Sequence, residues 1–204
     1  LADKYGMIIA LPDGYHDSWY VNSKSSKLLQ YESAFWKRIV PFVEENYRVD
    51  GSNRFITGLS MGGHGAVSFY LKKRGYFRAA GSMSGILDIT KFPDNWGISK
   101  RLGAYKKNKK TWEMNSALQL LKAYKGKKNE LLLFIACGKK DFAFAVNESF
   151  NKEAKAGKVP IIYLADQGEH NWDYWTSHVD QQILFFSLVA QGKKPDEIKK
   201  IMKI

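Results

Sequence analysis

Apolar residues along this chain fall into short unbroken runs, separated by longer stretches in which they recur every three or four positions. The runs are Met7-Ile8-Ile9-Ala10-Leu11, Arg54-Phe55-Ile56-Thr57, Ala79-Ala80-Gly81-Ser82-Met83, Leu131-Leu132-Leu133-Phe134-Ile135-Ala136-Cys137 and Ile161-Ile162-Tyr163-Leu164. A run of this length without polar alternation reads as a parallel strand covered on both faces. The intervening stretches read as helices. Over 28–47, Leu28, Tyr31, Phe35, Ile39, Phe42 and Val43 form one apolar stripe, and Pro41 predicts a kink because its ring displaces the carbonyl of Lys37. Further helices are predicted behind residue 65, over 146–158 with Gly157 as the stop, and over 176–191 through Val179, Ile183, Leu184, Phe186 and Leu188. The lysine-rich tail after Gly192 is predicted to fray. Strands alternating with helices predict an α/β fold with a mostly parallel central sheet flanked by helices.

Two stretches stand outside this alternation. The loop Tyr15-His16-Asp17-Ser18-Trp19-Tyr20-Val21-Asn22-Ser23 is dense in aromatic and hydrogen-bonding groups and should emerge at the carboxyl edge of the sheet, where ligands bind. His16, Trp19 and Asn22 are its candidate substrate contacts. Residues 86–129 form a long insertion with one strong helix, capped by Asn115 or Ser116 ahead of Ala117-Leu118-Gln119-Leu120-Leu121, and predict a lid or pocket wall.

Composition narrows the reading. At 204 residues with 45% hydrophobic, one domain spanning 1–204 is expected. No apolar stretch is long enough to span a bilayer, so no membrane span is expected; a soluble protein, including a periplasmic or secreted one, fits, and the compartment is left open. The sequence opens at Leu1-Ala2-Asp3 with neither an initiator Met nor a signal pattern, so an earlier portion is expected. Cys137 is the only cysteine and its apolar flank predicts a buried thiol. The net charge of +12 is spread over several lysine clusters without interleaved stacking aromatics, which argues against nucleic-acid binding. No His, Asp and Glu cluster has ligand spacing, and neither metal nor cofactor is expected.

The chemistry centres on Gly58-Leu59-Ser60-Met61-Gly62-Gly63-His64-Gly65-Ala66, between a strand run and a helical pattern. G-x-S-x-G in that context is a nucleophile elbow, with Gly58 and Gly62 expected where side chains would strike neighbouring backbone. A serine hydroxyl needs a base, and the base an orienting carboxylate. Asp141 and His170 each follow a later apolar run, and the order Ser, Asp, His is that of α/β-hydrolases. Ser60, Asp141 and His170 are therefore expected as nucleophile, acid and base. His16 is the reserve base, His64 is expected to pack away from the hydroxyl, His178 to fill surface or core, and Asp166 and Asp173 are weaker candidates for the acid. Trp172 and Trp175 are expected at the pocket's border.

Leu11-Pro12-Asp13-Gly14, Ser18-Trp19-Tyr20, Tyr31-Glu32, the Ser-Met-Gly-Gly elbow, Ser84-Gly85, Cys137-Gly138 through Asp141-Phe142, and Gly168-Glu169-His170 with Trp172 together resemble the esterase D-like family. That family includes S-formylglutathione hydrolases, tributyrin, feruloyl and acetylxylan esterases, and mycolyltransferases. The resemblance implies an α/β-hydrolase fold, Ser60, Asp141 and His170 as the triad, and the Met61 amide as one oxyanion donor. It implies a serine carboxylesterase acting on small acyl esters, such as acetyl or feruloyl groups on carbohydrate. An S-formylglutathione hydrolase or acyltransferase of the same fold, and a non-catalytic binding remnant lacking a complete oxyanion hole, are the alternatives. It also implies strands ahead of Leu1, one of them between the run at 7–11 and that at 54–59 and supplying the second oxyanion amide. The N-terminal remainder of the polypeptide, or a second chain, is accordingly expected to complete the sheet.

Overall fold

Four of the five apolar runs pair, and one does not. In the computed structural model, which describes residues 1–204, β1 (Phe55–Ile56), β2 (Ala79–Met83), β3 (Leu133–Ala136) and β4 (Ile161–Leu164) lie side by side in sequence order, all parallel. The helices are α1 (Ala2–Tyr5), α2 (Tyr31–Ala34), α3 (Val40–Asn46), α4 (Met61–Lys72), α5 (Ile98–Leu102), α6 (Tyr105–Glu113), α7 (Ala117–Ala123), α8 (Phe144–Ala156), α9 (Trp172–Ala190) and α10 (Pro195–Met202). No helix is long and apolar enough to cross a membrane.

Because strand side chains alternate, each run feeds two cores. Leu133, Ile135 and Ile161 join Val67 and Phe69 of α4, Leu121 of α7 and Phe150 of α8 on one face. Phe134, Ala136 and Ile162 join Phe185 and Phe186 of α9 on the other. Each fully buried Leu, Ile or Phe contributes about 1.5–3 kcal/mol, which is why β3, enclosed along its whole length, anchors the sheet.

The run at 7–11 is not a strand. It makes no ladder with the sheet, Ile8 and Ile9 are exposed, and Leu11 is 89% exposed. A strand's amides and carbonyls need a partner alongside, and β1 has one only on its β2 side. Met7 alone packs inward, beside Phe55 and Leu59.

Three other expectations shift. The helix expected from residue 28 begins at Tyr31, leaving Leu28 exposed. Its disturbance near Pro41 takes the form of a widened π turn over Phe35–Ile39, which continues into α3 without a break in helical backbone and accommodates the proline's missing amide. Ser116 precedes α7, but its hydroxyl donates to Asp88 Oδ1 at 2.9 Å and caps no amide. The tail forms α10. Pro195 opens it, the Lys194 amide donates to Glu197 Oε2 at 2.9 Å, and Ile198 is fully buried in the cluster that holds Ile162 and Val189. Met202, partly buried against the same cluster, is a second apolar contact.

Register brings the strand ends level. Leu59 bridges Met83, Met83 pairs with Ala136, and Ala136 pairs with Leu164, so one row crosses the sheet. The chain leaves that row for Ser60, for Asp141 and for His170 at one edge. A third core lies against the same edge: Ile86, Ile89, Ile98, Leu102 and Trp112 of the 86–129 stretch pack with Trp19, Val21, Cys137 and Val146.

Candidate active site

Ser60 sits between β1 and α4 with φ 52° and ψ −118°, left-handed backbone that a residue with a Cβ adopts at a cost of about 1–3 kcal/mol. Its amide donates to the Met83 carbonyl at 2.9 Å and its carbonyl accepts from His64 N at 3.1 Å, so the neighbouring strand and the first helical turn hold the conformation. The need for glycine is uneven. A Cβ on Gly58 would lie 2.5 Å from the Gly62 carbonyl carbon, and one on Gly63 would overlap the Ser82 hydroxyl. A Cβ on Gly62 would meet only the Tyr20 hydroxyl, at 3.4 Å, so the crowding expected at Gly58 is there, while that expected at Gly62 falls on Gly63 instead. The Met61 N–H, first in α4, has no backbone acceptor.

The structure brings Ser60, His170 and Asp141 into one line. Ser60 Oγ is 2.8 Å from His170 Nε2, and His170 Nδ1 is 3.0 Å from both carboxylate oxygens of Asp141. The Asp141 side chain is wholly buried and also accepts from the Ala143 amide at 2.7 Å. Burial pulls its pKa upward, but the His170 hydrogen bond, the nearby Ser84 hydroxyl and the Ala143 amide outweigh it and hold the carboxyl below the usual range. An ionised carboxylate facing Nδ1 fixes the proton there and leaves Nε2 free to accept from the serine hydroxyl. Trp175 stands edge-on to the His170 ring, with centroids 5.0 Å apart, and its indole N–H donates to Ser84 Oγ at 3.0 Å. Phe142 also packs against the His170 ring, with centroids 4.3 Å apart. Two aromatic rings thus contact the imidazole.

A cavity of about 510 Å³ opens over Ser60, and Met61, His16, Trp19, Trp96 and Phe142 are part of its wall. Trp19 is buried and donates from Nε1 to the Trp96 carbonyl at 3.1 Å. Asn22 is not in that wall: its amide donates to the Ser33 hydroxyl at 2.9 Å and its carbonyl accepts from the Ser33 N–H. Trp172 is not in it either. It opens α9, 69% exposed, and meets Trp175 edge-on outside the cavity. Ile86, Trp96, Lys100 and Phe142 also line the cavity; the first three belong to the 86–129 stretch expected as a lid or pocket wall, though none of the four was singled out. Phe142 could have been found, since it directly follows Asp141; the other three depend on how the 86–129 stretch folds back.

A family described as "Putative esterase" matches residues 3–186. The chain belongs to that esterase family. An acetyl esterase of Caldicellulosiruptor saccharolyticus is 26% identical over 93% of this chain and 75% of its own length. An S-formylglutathione hydrolase of Bos taurus is 22% identical over 89% of this chain and 72% of its own. Among solved structures, a ferulic acid esterase superposes with TM-score 0.68 at 27% identity, covering 81% of this chain and 64% of that one. The fluorophosphonate-binding serine hydrolase FphF of Staphylococcus aureus superposes with TM-score 0.77 at 22% identity, over 91% and 73%. The fold is that of the α/β-hydrolases, as the Ser, Asp, His order implied.

Of the other histidines in this esterase-family chain, His16 stays in the wall over Ser60, while His64 and His178 lie outside the cavity. His64, on α4, is fully buried with no hydrogen-bond partner at either ring nitrogen, and burial, with the Lys72 charge adding to it, pushes its pKa down to about 3. His178 is buried in α9 and meets Asp166. Cys137 is buried, and burial pushes its thiol far up, so it is held as the neutral thiol.

Proposed function

We propose that this chain is a serine carboxylesterase that cleaves small acyl esters, such as acetyl or feruloyl groups on carbohydrate, through an acyl-serine intermediate. The unbroken Ser60, His170, Asp141 hydrogen-bond line carries this reading. Ser60 Oγ attacks the ester carbonyl while its proton passes to His170 Nε2, and Asp141 stabilises the imidazolium that forms. The tetrahedral oxyanion is met by the unpartnered Met61 N–H at the start of α4. His170 then protonates the leaving alcohol, which breaks the carbon–oxygen bond. It next takes a proton from the water that attacks the acyl-serine, and returns it to Ser60 Oγ as the acyl–Oγ bond breaks and the carboxylic acid leaves. The aromatic wall of Trp19, Trp96 and Phe142 suits a ring on either side of the ester bond.

We propose further that 1–204 acts as one catalytic domain with 86–129 as its pocket wall. The open side of β1 and the exposed, unpaired 7–11 segment support a further strand there, from an N-terminal remainder or a second chain. Fluorophosphonate labelling of the purified polypeptide, followed by acetyl, butyryl, feruloyl and S-formylglutathione esters, tests the function. Rapid labelling that Ser60→Ala abolishes, with turnover of oxygen esters, is expected. Fast turnover of S-formylglutathione alone would move the assignment to the thioester. A chain that neither labels nor turns over would leave only a binding role.

A further inference from the structure

Asp166 lies on the connection between β4 and α9, ahead of His170, and it is held from both sides. Its Oδ1 accepts from the Tyr174 hydroxyl at 2.9 Å and its Oδ2 is 2.9 Å from His178 Nε2, both on α9. Its carbonyl accepts from the Lys139 N–H at 2.8 Å, on the turn that carries Asp141. Two residues on, the Gly168 carbonyl accepts from Lys140 N at 3.0 Å, and Asp141 N donates to Gly138 O at 3.1 Å. The acid's turn and the base's turn are thus stitched together through the main chain at Asp166 and at Gly168.

The α9 end of the stitch is stiff. Tyr174 and His178 are buried, their rings stack with centroids 4.0 Å apart, and His178 Nδ1 faces the Tyr174 carbonyl at 2.7 Å. Burial first, and then the Asp166 carboxylate, push the Tyr174 phenol far up, so it remains a donor. The helix start is closed by Asn171 Oδ1, which accepts from Tyr174 N at 3.1 Å. Space is tight as well: a Cβ at Gly168 would overlap the Tyr174 ring, and one at Gly138 would overlap the Gly168 backbone. None of these groups lines the cavity over Ser60.

We infer that Asp166 is a positioning residue: clamped by Tyr174 and His178, it fixes the His170 turn against the Asp141 turn so that the ring reaches Asp141 and Ser60 together. The inference rests on the reading of Ser60 as nucleophile. Displacements of about 1 Å in such a line cost up to about 100-fold in rate.

The test uses the full polypeptide with Asp166→Ala, Asp166→Asn and Tyr174→Phe. A fluorophosphonate titration counts competent sites, and kcat and KM for a soluble acetyl ester are expressed per titrated site. Asp166→Ala is expected to lose about tenfold or more in kcat with KM within about twofold, and Asp166→Asn, which keeps the shape and an acceptor, to recover most of it. Tyr174→Phe, which removes one oxygen, is expected to lose about threefold in kcat and keeps the test open should the alanine variant fail to fold. Unchanged kcat per site in Asp166→Ala or Tyr174→Phe would overturn the inference, even with a lowered Tm, because a purely structural role lowers the number of folded sites and not their turnover. Equal losses in the alanine and asparagine variants would overturn it too. A wild-type chain that neither labels nor turns over would overturn the esterase reading itself, and that outcome is told apart by the wild-type arm alone.

Discussion

Two apolar runs of similar composition meet opposite fates. Residues 133–136 lie between two strands and two helical layers and are wholly buried, whereas residues 7–11 run unpaired with Leu11 in solvent. The difference is not in the residues but in the neighbours: a run becomes a strand where other backbone answers its amides and carbonyls. The proposed chemistry sits at the enclosed end. Ser60, Asp141 and His170 all leave from the row of Leu59, Met83, Ala136 and Leu164, so the rigid part of the molecule sets their spacing.

The comparison can be broken at either end. The largest effect is expected for Ser60→Ala, which should lower ester cleavage by roughly six decades while the melting transition is kept; a tenth of the wild-type rate remaining would remove Ser60 from the chemistry. Phe134→Ala, in the enclosed run, should cost about 3–5 kcal/mol in denaturant unfolding. A loss below 1 kcal/mol there would mean that β3 does not anchor the fold.

Acid should expose the same enclosure through His64. Its pKa is about 3 in the fold against 6.5 in the open chain, so between those values only the unfolded state takes up the proton, and stability rises with pH. Between pH 6 and 4 the wild-type slope should exceed that of His64→Gln by about 1 kcal/mol per pH unit. Equal slopes would show that the ring is not held neutral. Asp141 acts in the same direction lower down: its depressed pKa contributes stability above the unfolded carboxyl range that is lost as pH falls through the folded value. The smallest effect is expected for Leu11→Ser in residues 1–204 by themselves, within about 0.5 kcal/mol, since the side chain already meets water. A loss well above that would show that the strand proposed beside 7–11 is already in place.

What could be read in advance follows the same division. The elbow, Asp141 and His170 were legible because each lies immediately after an apolar run, and local sequence reports such punctuation. The failure at 7–11 came from a pattern that records hydrophobicity but not whether a partner strand stands alongside. α10 was hidden because the buried contact of Ile198 is with residues far off in sequence, Ile162 among them. The pocket wall was hidden for a related reason. Asn22 turns to Ser33 and Trp172 to Trp175, while Trp96 and Lys100 arrive from an insertion whose path depends on packing against Trp19 and Cys137.

The left-handed backbone at residue 60 means that this polypeptide holds the hydroxyl proposed as its nucleophile against its own conformational preference. Glycine at that position would relax the turn and raise the melting temperature, by up to about 1 kcal/mol in stability, while removing that hydroxyl. On the proposed mechanism, screening variants for heat resistance alone would therefore favour a change that extinguishes turnover.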